Sequence, residues 1–178
     1  QLPELKYVSQ QMTTSYNMNW DGRPEPIDER WLAWKVVNQI KQFTRKQLEY
    51  KFKLMPPEII WHEEKDNKWL VDQMMVVADC VTDDIYEWAL NRVIQNLRVS
   101  DLPTITFVKS TPILCAQRLH VGDYKNTVET LAVLKEDIEK QGYRVKGPHR
   151  EIYLLPAMGC YPAEKCHTIV RVELEALI

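Results

Sequence analysis

The stretch from Arg118 to Leu155 constrains the fold more than any other part of the chain. It reads as strand, glycine turn, amphipathic helix, glycine stop and second strand. The turn is His120-Val121-Gly122-Asp123-Tyr124, where Gly122 supplies the positive φ that a tight strand-to-helix reversal needs. Asn126 with Glu129 three residues later has the spacing of a capping box, and Val128, Leu131, Ala132, Leu134 and Ile138 form an apolar stripe behind it. Gly142 stands where a left-handed cap ends a helix. In the strand Glu151-Ile152-Tyr153-Leu154-Leu155 the alternation of side chains puts Glu151, Tyr153 and Leu155 on one face. An acid, a phenol and an aliphatic group side by side make this face the first place to look for function.

An earlier segment repeats the plan. Asp21-Gly22 precedes a helix that begins near Asp28 and buries Leu32, Ala33, Val36, Val37, Ile40 and Phe43. Trp31 and Trp34 lie at its start. A strand over Lys53–Glu63 follows, led into its Glu58-Ile59-Ile60 run by Pro56 and Pro57, which mark it as an edge or bulged strand. The turn Lys65-Asp66-Asn67 joins it to a strand over Trp69–Ala78. The echo has a period of about 100 residues, the signature of duplicated units sharing one core.

These observations predict an α+β domain of two duplicated strand-helix-strand-strand units sharing one sheet or core. The first unit spans about 12–80, beginning with a strand at Met12–Trp20 after a loose arm or short edge strand. Residues 81–105 insert a helix and linker, and 106–178 form the second unit. Thr82 caps the inserted helix, Asp83 and Asp84 complement its dipole, and Tyr86, Leu90, Val93, Ile94 and Leu97 form its core stripe. Strands near Thr106–Lys109 and Ile113–Val121 lead into the second unit, and Glu164–Leu174 closes it.

Composition excludes several classes. The net charge is −2 with Lys and Arg scattered, which gives no electrostatic footprint for nucleic acid. No apolar run is long enough for a membrane span, and Glu4 and Lys6 interrupt any signal-like start, so the expected compartment is the cytoplasm. Cys80, Cys115, Cys160 and Cys166 form no C-x-x-C pair, and Cys166 and His167, as successive strand residues, point to opposite faces. The expectation is reduced thiols, no metal and no cofactor.

Taken together, His120, Gly122 and Tyr124, then His149, Glu151, Ile152, Tyr153 and Leu154, then Glu164, Lys165, Thr168 and Arg171 carry a pattern. It resembles the GyrI-like small-molecule-binding proteins, and more closely a stand-alone bacterial branch that includes cyclopropanoid hydrolases. The segment Pro56–Trp61 extends the resemblance upstream. The chain departs from the family pattern at His62, Asp123 and Arg150, and over Pro156–Pro162.

The resemblance implies a hydrophobic or cationic small ligand in an aromatic cleft with an acidic residue. Ionised, such a carboxylate draws organic cations, and the ring faces assist it. Desolvated, a carboxylate serves as general acid or base. Glu151 is then the principal acid, Tyr153 its neighbour and Glu58 a second carboxylate from the equivalent strand. Trp61 and Trp69 are wall residues, Tyr124 lines the cleft mouth, and His120 joins the ligand-binding set. Trp61 points away from Glu58 in a regular strand, because their offset is odd. His149, a lone strand histidine, reads as a structural hydrogen-bonder.

The rival expectation is a non-catalytic interaction or regulatory module acting on a protein partner. One observation discriminates the two. A ligand cleft buries Glu151 among rings, whereas an interaction surface exposes it.

Overall fold

A computed structural model describes residues 1–14, 32–97, 102–123, 126–154 and 162–177. Its elements are β1 (Lys6–Thr14), α1 (Leu32–Gln47), β2 (Glu58–Lys65), β3 (Lys68–Val77), α2 (Asp83–Gln95), β4 (Thr104–Lys109), β5 (Cys115–Val121), α3 (Thr127–Lys140), β6 (Tyr143–Tyr153) and β7 (His167–Ala176). A single 3-10 turn at Ala163–Lys165 precedes β7. The class is α+β, as the sequence predicts.

The strands form one antiparallel sheet in the order β4-β1-β3-β2-β6-β7-β5. Around the β2–β6 junction the order is mirrored: β1-β3-β2 on one side and β6-β7-β5 on the other. Each half is strand, helix, strand, strand in sequence, while α2 and β4 lie between the halves and β4 extends the sheet beside β1. Among the described residues, no helix is long and apolar enough to cross a membrane.

Register fixes which side chains share a face. Directly paired residues point the same way, so Gln10, Gln73, Ile59, Glu151, Val170 and Arg118 form one row across six strands. All three helices cover this face. Leu32, Val36, Val37 and Ile40 of α1 and Ile85, Tyr86, Ala89 and Val93 of α2 pack on Val8, Met75 and Val77. At the other end, Leu134 and Ile138 of α3 pack on Val170 and Val172. Full burial of each aliphatic side chain contributes about 1.5–3 kcal/mol, so the helix stripes anchor both ends of the sheet. A third cluster occupies the strip between them: Ile59, Trp61, Val71, Tyr153 and Cys166, with Met12 and Trp69 against it.

Several boundaries differ from expectation. The sheet begins at Lys6, because Tyr7, Val8, Ser9 and Gln10 are all buried between β3 and β4 despite their mixed polarity. The remainder of the expected Met12–Trp20 strand beyond Thr14, and the start of the first helix, lie outside the described residues, as does Trp31. Pro56 and Pro57 do not sit in a bulged edge strand. They precede β2, which is internal, and the Pro57 carbonyl still accepts from the Tyr153 N–H at 3.0 Å. The bulge in β2 falls later, between Trp61 and Glu63. Asp66 and Asn67 both take positive φ (53° and 59°), the requirement of a two-residue type I′ hairpin turn.

Helix ends show how local sequence is satisfied. Thr82 accepts from the Ile85 N–H at 3.4 Å, as its capping position predicts. Asn126 occupies the cap position of α3 but makes no side-chain capping bond. Instead its N–H donates to the Asp123 carbonyl at 3.0 Å, closing the turn through the backbone. Val128 and Val133 of α3 are exposed, and so are Ile94 of α2 and Trp34 of α1. Those residues fall off the buried stripes.

The first described turn of α1 is tied to the sheet. The Oε1 of Gln10, a fully buried residue, accepts from the backbone N–H groups of Leu32 (2.7 Å) and Ala33 (3.1 Å). Helix-start N–H groups have no intrahelical partner, and burial denies them water. Gln10→Met keeps the volume but removes the acceptor. It is expected to cost about 1–3 kcal/mol in urea denaturation, the range for stranded buried donors.

Candidate functional site

The β2–β6 junction places the best-defined polar group of the interior. Glu151 is 1% exposed and sits opposite Ile59 on the helix-covered face. Its Oε2 accepts from the Tyr153 hydroxyl at 2.5 Å and from the Trp61 Nε1–H at 3.3 Å. Tyr153 lies on the same face because it is two residues along β6. Trp61 lies there because it is two residues along β2 from Ile59. Both rings are buried, and Trp69 meets Trp61 edge to face at 5.5 Å between centroids. The acid, the phenol and two indoles thus come together.

The carboxylate has no lysine or arginine partner among the described residues. A basic group near it is His149, whose Nε2 stands 3.7 Å from Oε1. That distance is too long for a direct hydrogen bond, and among the described residues neither atom has a hydrogen-bond partner. On β7, Thr168 is paired with Tyr153, and its buried hydroxyl is likewise without a partner among the described residues. Buried polar atoms in native proteins are ordinarily satisfied, so these atoms stand out within the described interior.

Glu58 is elsewhere. The sequence echo equates it with Glu151, but the register pairs Glu58 with Ile152 and Ile59 with Glu151. One residue of offset reverses the face, so the two carboxylates lie on opposite sides of the sheet. On its own side Glu58 is buried and accepts from Arg150 Nη1 at 2.8 Å, and the same Nη1 reaches the Tyr7 hydroxyl at 3.1 Å. Burial opposes the Arg150 charge, but the Glu58 carboxylate and Tyr7 together hold its pKa above the ordinary value. Burial, with the Glu58 charge second, pushes the Tyr7 phenol above its ordinary 10.0, although Arg150 pulls the other way. The folded state therefore keeps the Tyr7 proton longer than the unfolded chain. This contribution is complete below about pH 10 and is lost as pH rises through the folded value. Spectrophotometric titration is expected to show Tyr7 ionising later than exposed tyrosines, and Tyr7→Phe should remove that late step.

His120 does not reach the carboxylate. It is on β5, two strands from Tyr153 through Thr168, or about 10 Å at ordinary strand spacing. Its Nε2 lies 2.8 Å from the Asp123 carbonyl and its Nδ1 2.8 Å from the Thr130 hydroxyl. A carbonyl only accepts, so this network assigns the proton to Nε2 and makes Nδ1 the acceptor from Thr130. His120 ties the Gly122 turn to α3. Tyr124 lies outside the described residues. Among the described residues, no group of histidine, cysteine and acidic side chains could hold a metal ion.

His149 is the residue that the sequence reading placed among structural histidines. Its relation to Glu151, two residues along one strand, was legible in the spacing. The absence of a structural partner for its Nε2 was not.

No protein-family model matches the chain, and no curated protein matches it. Solved structures do. An uncharacterized conserved protein from Listeria innocua matches 97% of this chain and 89% of its own at 23% identity, with a TM-score of 0.77. A hydrolase from Listeria innocua matches 97% of this chain and 88% of its own at 23% identity, with a TM-score of 0.75. The fold is shared with these proteins. The C-terminal domain of EcmrR matches more loosely, covering 98% of this chain and 94% of its own at 14% identity and a TM-score of 0.53.

Proposed function

We propose that the chain binds a hydrophobic or cationic small molecule against Glu151, between the two halves of the sheet, and that water opens electrophilic cyclopropane-type ligands there. The observation that carries this reading is a carboxylate 1% exposed, held by two neutral donors and by no arginine or lysine among the described residues. A buried charge without a counter-charge is costly, and an organic cation among rings supplies one. The burial favours a ligand site over an interaction surface, which would expose Glu151. The resemblance to cyclopropanoid hydrolases and the shared fold with a protein described as a hydrolase support the reaction.

In the proposed step Glu151 takes a proton from water as the water oxygen bonds to a ring carbon. The ring C–C bond breaks, and its electron pair moves into a conjugated carbonyl of the ligand. Tyr153 hydrogen-bonds the carboxylate and fixes its orientation. The resulting enolate is protonated from solvent, so one water is added overall. Trp61 and Trp69 form the wall, and the partly exposed Trp69 and His149 flank the approach. Glu58, paired with Arg150 on the opposite face, holds the sheet rather than the ligand.

Incubating the protein with a cyclopropane-bearing electrophile in ¹⁸O-water tests the reaction. Mass spectrometry should find one labelled oxygen in the product. Glu151→Gln should slow its formation by about 10²–10⁴-fold, the range for loss of a general base. A Glu151→Gln protein as fast as wild type would remove Glu151 from the mechanism.

A further inference from the structure

We propose that Oε1 of Glu151 and Nε2 of His149 hold one water between them, and that His149 is a second residue acting on the water that attacks. This rests on the hydrolytic reading above for its catalytic half, and on geometry alone for the water site. Oε2 of Glu151 is committed to Tyr153 and Trp61, which leaves Oε1 as the oxygen able to meet a guest. Oε1 and Nε2 are 3.7 Å apart, and both lack a partner among the described residues. A polar pair separated beyond direct bonding range is the signature of a bridging water. An oxygen about 2.8 Å from each atom fits at the apex of that pair.

The arrangement assigns hydrogens. Water donates one hydrogen to Oε1 and the other to the Nε2 lone pair, so His149 is neutral with its proton on Nδ1. Both water hydrogens then point at the protein, and the oxygen lone pairs face away from the strand toward the ligand. When the oxygen bonds to carbon, the hydrogen on the Glu151 side leaves to Oε1, and the other stays on the new hydroxyl. His149 holds the water and sets its direction, while Glu151 removes the proton. A water fixed by one acceptor alone rotates, so losing His149 costs orientation rather than ligand binding.

Two measurements decide this. A high-resolution crystal structure of the wild-type protein should show a water within about 3.2 Å of both atoms, and in His149→Leu the water beside Oε1 should lose its fixed position. A direct His149–Glu151 bond, or an empty gap in the wild type, overturns the water site. With a cyclopropane-bearing electrophile, His149→Leu should lower kcat by about 10–100-fold with KM changed less than about 3-fold. His149→Gln, whose amide oxygen also accepts, should recover much of that loss. Equal kcat in all three proteins, or a loss in His149→Leu that appears only in KM, overturns the catalytic role. A wild type that turns nothing over, yet shows the water, overturns the hydrolytic reading and the catalytic half with it. The water site then stands alone.

Discussion

Arg150→Ala is expected to destabilise the fold by about 3–5 kcal/mol, the usual cost of breaking one side of a buried ion pair. The Glu58 side chain is 7% exposed and that of Arg150 18% exposed, so neither is bathed in solvent. Removing the guanidinium leaves a buried carboxylate on the face opposite the three helices and takes the donor from the Tyr7 hydroxyl. The cost is one of an unpaired charge, not of lost attraction. The double change Glu58→Gln with Arg150→Met should therefore recover most of the stability, because apolar or neutral replacements of whole buried pairs are often nearly neutral. Urea denaturation of the two variants separates these cases. If Arg150→Ala is neutral, Glu58 is not confined to a structural pair.

Trp61→Ala is expected to cost about 3–5 kcal/mol as well, by a different route. Trp61 is 1% exposed, the largest of the fully buried side chains, and packs with Ile59, Val71, Tyr153 and Cys166 in the strip between the helices. Truncation opens a cavity under the sheet and removes one of the two donors to Glu151 Oε2. Trp61→Phe divides the two effects. It keeps an aromatic ring and most of the volume but loses the N–H and some ring atoms, so it should cost about 1–3 kcal/mol while strongly weakening the response to cationic ligands. A Trp61→Phe protein with full ligand response would show that the indole serves packing alone.

Much of the fold was legible because helix periodicity is robust. Leu32, Val36, Val37 and Ile40 face the core, as do Leu134 and Ile138, and the Thr82 cap and the Gly122 and Gly142 conformations follow from residue chemistry. The mirrored order about the β2–β6 junction also agrees with the internal echo. What sequence could not supply was register between distant strands. The pair Glu58-Ile59 resembles Glu151-Ile152, and lining up the glutamates is the natural choice. The ladder instead sets Ile59 opposite Glu151, and strand geometry turns that single step into opposite faces. Burial of β1 was hidden for a related reason. Gln10 and Ser9 look like surface residues until Gln10 is seen satisfying the start of α1. Nothing in the sequence around His149 tells whether its ring nitrogen finds a partner.

The central claim is that Glu151 is a buried counter-charge for a ligand. Isothermal titration calorimetry with tetraphenylphosphonium, an aromatic cation, tests it directly on the wild type and on Glu151→Gln. The substitution keeps the size and one acceptor oxygen for Tyr153 and Trp61 while removing the charge. The account predicts saturable binding to the wild type, and at least about 30-fold weaker binding to the variant, the lower end expected when one partner of a buried charge pair is lost. Equal affinity in the two proteins would contradict it.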